Sequence, residues 1–323
     1  MVADGFHVRR VVVGRDGGGA PAILSDETPQ LTIAAPSGVG VSELLSSPGP
    51  LTSVQDGGDP PREGVGAFPA NGGVAARLIR FPVTGEWVRV AGDGPDRPGM
   101  HRSETLDLMV VLSGEIVLGV EDCEDAIGTG DSIVQRGTLH RWRVTGDGPC
   151  TYLSVLLAPL DGWPVPSPPR PTLQPGPGPK LFVTGTGSQG STIEFTGTSP
   201  PDEHGRRQWW STGGPVRSVD QGGSGGETNE SEAPAVGAVS LTMVDLSVAG
   251  TAGYRTAPSS IDLVVVQSGS VTAAPDIETN GLDATAERLS LSDGDVLITR
   301  GVSLRLTSPS AELAVVSFSP ITA

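Results

Sequence analysis

Lysine is almost missing: Lys180 is the only one among 21 basic residues, and it ends a proline-rich stretch. Schiff-base chemistry needs a desolvated, neutral lysine, so it is set aside. Cysteine is scarce too. Cys123 and Cys150 form neither a disulfide framework nor paired zinc spacing, and both are expected to be free and inert. No apolar run approaches the roughly 18 residues that a helical membrane span needs. The opening MVADGFHVRR lacks a signal-peptide core, so a cytoplasmic protein with no membrane partner is expected. Positive charge is outweighed, with a formal net charge of −16; a field of that sign works against nucleic acid and acidic lipid as partners. Phosphate loops are also absent. Gly17–Gly19 and Gly222–Gly226 lack the strand-to-helix setting and the lysine such a loop uses, and Gly222-Gly-Ser-Gly-Gly has no strand before it to form a nucleophile elbow.

Glycine and proline, at 46 and 29 of 323 residues, are abundant. Both cost helix stability, which excludes a mainly helical chain. Between their clusters lie short runs rich in Val, Ile and Leu, the pattern of an all-β sandwich or barrel. Ser42–Leu45 alone reads as the start of a short helix.

The chain repeats itself. TLDLMVVLSGEIV (105–117) is echoed by SIDLVVVQSGSV (260–271), GDSIVQRG (130–137) by GDVLITRG (294–301), and YLSVLLAP by LAVVSFSP. The openings also correspond, RRVVVGRDGGGAPAILSDETP near the start and KLFVTGTGSQGSTIEFTGTSP from residue 180. A period of half the chain is a tandem duplication; solenoid periods are about 20–50 residues. The expected division is 1–158 for a first barrel, 159–179 for an extended linker with nine prolines, and 180–323 for a second barrel. Residues 213–237, rich in Gly, Ser and Glu, read as a solvated acidic insertion. Trp209 and Trp210, after Arg206 and Arg207, read as a contact between the halves or with a second chain, or as core anchors.

Two stretches carry chemistry. Gly99-Met-His101-Arg-Ser103-Glu-Thr105-Leu-Asp107 is closed by Gly114, and Gly130-Asp131 leads through a β-run to Gly137-Thr-Leu-His140-Arg-Trp142. They resemble the two motifs of the cupin superfamily, and in particular a bacterial and fungal subgroup associated with specialised metabolism. The resemblance implies two tandem double-stranded β-helix barrels. It also implies a metal set of His101, Asp107 and His140, two imidazoles and a carboxylate that would suit non-haem Fe(II), Zn or Ni. Three positions depart from the pattern. Ser103 stands where a second His is usual, Asp107 where a Glu is usual, and Gln135 lies in a stretch one residue shorter than usual.

Alternate residues of a strand share a face. His101, Ser103, Thr105 and Asp107 share parity, continued by Met109 and Val111, and His140 shares parity with Trp142 and Val144. One interior would then hold two imidazoles, a carboxylate and two hydroxyls in an apolar lining, the make-up of a small-molecule pocket. His101, His140 and Asp107 are the expected catalytic residues. Ser103, Thr105, Met109, Gln135 and Trp142 are the expected substrate contacts. In the second copy the matching positions are Thr256, Pro258, Asp262, Leu304 and Leu306, so that barrel reads as a degenerate scaffold or dimerisation copy. Asp262, kept without the histidines, reads as a strand-start hydrogen bonder, and the same reading stays open for Asp107. His7 and His204 read as surface loop residues.

Without a metal, His101 and His140 would act as acid and base, with Asp107 fixing a tautomer. The reaction would be an isomerisation, cyclisation, dehydration or decarboxylation of a largely apolar metabolite. With a metal, the same residues would support oxygenation. A non-catalytic ligand-binding protein and a purely structural pair of barrels are the rival classes. The strand around Val8–Val13 can extend a sheet edge, either of a second copy in a homodimer or of the chain's own other half.

Overall fold

The computed structural model describes residues 8–34, 37–55, 68–69, 71–90, 93–160, 173–187, 190–212, 216, 236–250, 252–276 and 288–321. His7, most of the proline-rich stretch, and most of the acidic insertion with Gly222–Gly226 lie outside the described residues.

The first half runs β1 (Arg10–Arg15), β2 (Pro21–Glu27), β3 (Leu31–Ala34), β4 (Val39–Ser47), β5 (Val74–Phe81), β6 (Leu106–Ser113), β7 (Glu115–Gly119), β8 (Glu124–Gly128), β9 (Ser132–Arg136), β10 (Arg141–Arg143) and β11 (Cys150–Leu157). The second runs β12 (Leu181–Gly187), β13 (Gly190–Gly197), β14 (Arg206–Ser211), β15 (Val239–Asp245), α1 (Leu246–Ala249), β16 (Tyr254–Arg255), β17 (Ile261–Ser268), β18 (Ser270–Pro275), β19 (Leu289–Ser292), β20 (Val296–Arg300), β21 (Leu304–Thr307) and β22 (Glu312–Phe318). Among the described residues the chain is all-β with one four-residue helix. Among the described residues no helix is long and apolar enough to cross a membrane.

Two barrels result. An eight-stranded sheet, β13-β12-β9-β6-β11-β5-β4-β3, closes with the three-stranded β10-β7-β8, and a seven-stranded sheet, β14-β15-β22-β17-β20-β1-β2, closes with β16-β21-β18-β19. Strand β6 explains the packing. Its sequence LDLMVVLS is apolar on both faces, as a strand buried on both sides must be. Leu106, Leu108 and Val110 point into a core shared by the two large sheets, while Met109 and Val111 point into the first barrel. The shared core takes Leu153, Val155 and Leu157 from the first half, and Leu263, Val265, Val316 and Phe318 from the second.

The leading hairpins are exchanged. β1 pairs in parallel with β20 of the second barrel (Val12 opposite Ile298), and β12 pairs in parallel with β9 of the first (Phe182 opposite Ile133). The edge pairing open to the N-terminal strand is thus made within one chain.

Ser42–Leu45 is not a helix start but the middle of β4. The register against β5 shifts between Glu43 and Leu45, inserting Leu44 as an extra residue. Such a bulge turns neighbouring residues to one face, and Leu44 and Leu45 are both fully buried in the shared core. The second half repeats the device in β14, where the register against β15 shifts between Gln208 and Trp210. Trp209 and Trp210 therefore also both enter the shared core. Of the readings open to this pair, the structure has them anchoring a core to which both halves contribute.

Candidate functional site

The first barrel encloses a cavity of about 670 Å³ lined by His101, Ser103, Asp107, Met109, His140 and Trp142 among others. Strand pairing brings the wall together. Arg77 on β5 lies opposite Ser154 on β11, which lies opposite Met109 on β6. In the next row Leu156 lies opposite Asp107. Phe81 and Tyr152 stack at 5.6 Å between ring centroids and Trp142 lies 6.0 Å from Tyr152, giving the cavity an aromatic side. The matching places of the second barrel carry aliphatic side chains. Val315 and Leu306, which replace Ser154 and Trp142, are buried in an aliphatic core with Leu304, which replaces His140.

His101 and His140 are joined by an isolated antiparallel bridge, each backbone N–H donating to the other's carbonyl at 2.9 Å. Their rings lie 4.3 Å apart between centroids. Each Nδ1 sits beside a carbonyl, Gly99 O at 2.8 Å for His101 and Thr138 O at 2.9 Å for His140. A carbonyl can only accept, so Nδ1 carries the proton and Nε2 keeps its lone pair; the Gln135 amide nitrogen, 3.0 Å from His140 Nδ1, fits this tautomer only with the amide turned so that its otherwise unpartnered Oε1 faces the ring. Gly99 has φ +76°, and a Cβ there would lie 2.5 Å from the Val88 carbonyl, so only glycine delivers that backbone. Burial holds His101 below the usual imidazole value, partly offset by the Gly99 carbonyl and by Asp93. Burial and the neighbouring His101 push His140 down to about 3. Both rings are therefore neutral near pH 7. Trp142 meets His140 edge-on at 5.4 Å.

Asp107 is buried and accepts a hydrogen bond from Ser103 Oγ at 3.0 Å. Its Oδ1 and the Thr105 hydroxyl are buried without a hydrogen-bond partner among the described residues. Burial raises the carboxyl to about 7, against the opposing pull of the Thr105 and Ser103 hydroxyls and the Arg77 guanidinium. The Thr105 hydroxyl acts here as a nearby dipole, because only Ser103 makes a hydrogen bond of regular geometry. Asp262 in the second barrel is a contrast, tied by the Ser260 hydroxyl at 2.9 Å and the Ala257 N–H at 3.0 Å. That is the structural role expected of it, and Asp107 lacks the second of these ties.

Asp107 touches neither imidazole, so the tautomers are set by backbone carbonyls and not by this carboxyl. Gln135 lies behind the wall, with its amide 3.0 Å from His140 Nδ1 and against the Thr138 hydroxyl. Thr105 is likewise buried behind the lining. His204 is half-buried in a turn. Cys123 and Cys150 are free, and burial pushes the Cys150 thiol up to about 12.

Sequence reasoning missed Arg77, Phe81, Tyr152 and Ser154. Arg77 is a charge in the apolar run VAARLIRF, balanced by a buried ion pair with Glu43 at 3.0 Å. Tyr152 and Ser154 stand where the second copy has Leu313 and Val315, a difference visible in the repeat itself.

A three-ligand metal centre does not fit these residues. Among the described residues no three His, Cys, Asp or Glu side chains converge as ligands. The two imidazoles offer nitrogen donors, and the Asp107 carboxyl, engaged by Ser103 through Oδ2 alone, does not converge with them.

Residues 87–156 match the cupin domain family. Two curated relatives from Diaporthe leptostromiformis, phomopsin biosynthesis cluster protein C' and protein D, are each 52% identical over 52 residues, or 15% of this chain. The matched stretch spans only 28% of each relative's length. Among solved structures, an oxalate decarboxylase formate complex from Lactobacillus farciminis is 13% identical, covering 91% of this chain and 85% of that one at a TM-score of 0.44. A salicylate 1,2-dioxygenase variant from Pseudoaminobacter salicylatoxidans is 14% identical, covering 80% and 73% at 0.42.

Proposed function

We propose that the first barrel is a metal-free proton-transfer site for an uncharged, largely apolar, oxygenated small molecule of specialised metabolism. One observation supports this above the rest: a cavity of about 670 Å³ is lined by two imidazoles and a buried carboxyl whose value is about 7. Near neutral pH such a pocket presents bases in their basic form beside an acid that is still protonated, as general acid–base catalysis requires. The likeness to proteins named for a biosynthesis cluster is in keeping with a small metabolite as substrate.

In this reading the Nε2 of His140 or His101 removes a proton from the substrate. Asp107 gives its carboxyl proton to a second substrate atom, with its unpartnered Oδ1 free to hold the substrate meanwhile. The cycle closes when the proton returns from imidazolium to carboxylate through water. The balance is that of an isomerisation, cyclisation or dehydration. Burial selects against charged ligands, since Arg77 is already neutralised by Glu43 and a net charge would be costly to desolvate.

The test is incubation of the full chain with uncharged hydroxylated aromatic and polyketide-like compounds, read by mass spectrometry for isomers or loss of water. The reading expects product from the wild type and a loss of about a hundredfold or more in His140→Gln and in Asp107→Asn. Ligand uptake without product would make the barrel a binding module instead. Product formation that needs added Fe, Zn or Ni, and disappears in His101→Ala and His140→Ala, would favour the metal reading.

A further inference from the structure

We infer that Thr184 and Ser191, on the exchanged hairpin of the second half, are positioning residues for His140 in the first barrel. This rests on the reading of His140 as a base of that cavity.

The link is a short chain of hydroxyls. Strand β12 lies beside β9 in parallel, and its pairing brings Thr184 level with the end of β9. The Thr184 hydroxyl accepts from the Arg136 N–H at 3.0 Å and from the Thr138 hydroxyl at 2.9 Å, and donates toward the Val134 carbonyl at 3.5 Å. One donor and two acceptor sites use the full capacity of a hydroxyl. Ser191 on β13 accepts from the Leu139 N–H at 2.8 Å, while its own N–H donates to Glu121 at 2.9 Å. The segment held from both sides, Thr138–Leu139, is the one whose Thr138 carbonyl accepts from His140 Nδ1. Held there, the carbonyl competes with the Gln135 amide nitrogen 3.0 Å from the same Nδ1 and keeps the proton on Nδ1, leaving the Nε2 lone pair as the ring's free acceptor.

The repeat supplies an internal control. In the hairpin exchanged the other way, Val13 lies opposite Thr299. Thr299 matches Gln135, so Val13 occupies the place of Thr184. Pro21 lies opposite Arg15 as Ser191 lies opposite Thr186, so it takes the place of Ser191. The hairpin serving the barrel without imidazoles therefore has neither hydroxyl. Strand exchange alone does not call for these groups, because the second barrel does without them.

The experiment uses the full chain labelled with ¹⁵N-histidine, in which four histidines give a spectrum assignable by single His→Gln variants. In the wild type, His140 should show Nδ1 protonated and Nε2 bare. Thr184→Val keeps the shape and removes the hydroxyl; it should convert His140 to a mixture of tautomers while the His101 signals stay put. Thr184→Ser should restore the wild-type spectrum. Ser191→Ala should act in the same direction, and carries the test if Thr184→Val does not fold. If a substrate is in hand, kcat/KM should fall about tenfold in Thr184→Val with little change in KM. A folded Thr184→Val or Ser191→Ala whose His140 tautomer matches the wild type would overturn the inference. Because the spectrum needs no substrate, that result stays distinct from a failure to find turnover.

Discussion

Asp107 and His140 store opposite pH dependences in one cavity. The folded Asp107 value of about 7 lies above the roughly 3.9 of an exposed aspartate. Its contribution to stability is therefore fully present below about pH 4 and is lost as pH rises through about 7. His140, at about 3 when folded, lies below the usual value of roughly 6.5. Its contribution is present above about 6.5 and is lost as pH falls toward 3. The two slopes offset each other between roughly pH 4 and 6.5, so single variants expose them better than the wild type does. Asp107→Asn should gain stability over the wild type at pH 8, by up to a few kcal/mol, with the gain shrinking toward pH 4. His140→Gln should instead flatten the acid limb. Denaturant melts across this range measure both, and a gap between Asp107→Asn and wild type that does not vary with pH would count against a buried, neutral carboxyl. These residues were legible because period-2 parity aims them at one interior. Arg77 and Tyr152 were not, because they reach the cavity through pairings of β5 and β11 that no local pattern announces.

At the scale of elements, the bulges in β4 and β14 decide where the largest side chains go. A regular strand would send Leu44 and Leu45, or Trp209 and Trp210, to opposite faces. The extra residue puts both members of each pair into the shared core. Trp210→Ala should cost about 3–5 kcal/mol and Leu45→Ala about 2–5, as large-to-small changes in a packed core do. Chemical denaturation would measure both, and losses below 1 kcal/mol would argue that the interface is loosely packed. The bulge also explains why Ser42–Leu45 read as a helix start: two adjacent leucines break strand alternation, and without the partner strand a bulge looks like helical spacing. The barrel strands were legible because Val/Ile/Leu runs between Gly and Pro clusters leave few alternatives.

For the whole molecule, the exchange of hairpins ties two barrels of unlike content into one unit. The second barrel is filled by aliphatic side chains, yet its leading hairpin covers β9 and holds the segment before His140. A chain ending at residue 158 would lose β12 and β13, leave the β9 edge open and expose the face of the large sheet. Such fragments should aggregate or melt well below the full chain, whereas an independently stable 1–158 fragment with a sharp transition would contradict this dependence. The duplication itself was legible in the paired strings, and so was the option of strand pairing within one chain. Which hydroxyl holds which loop was not, since Thr184 and His140 meet only once both halves are folded together.

The central claim is that one cavity holds two neutral imidazoles beside a carboxyl kept protonated by burial. The most direct test is an NMR titration of protein labelled with ¹³C-aspartate and ¹⁵N-histidine. The account predicts one aspartate carboxyl titrating near pH 7 and absent in Asp107→Asn, with His140 still neutral at pH 5. A cavity whose histidines titrate near their ordinary value of about 6.5, with no carboxyl titrating above pH 5, would contradict it.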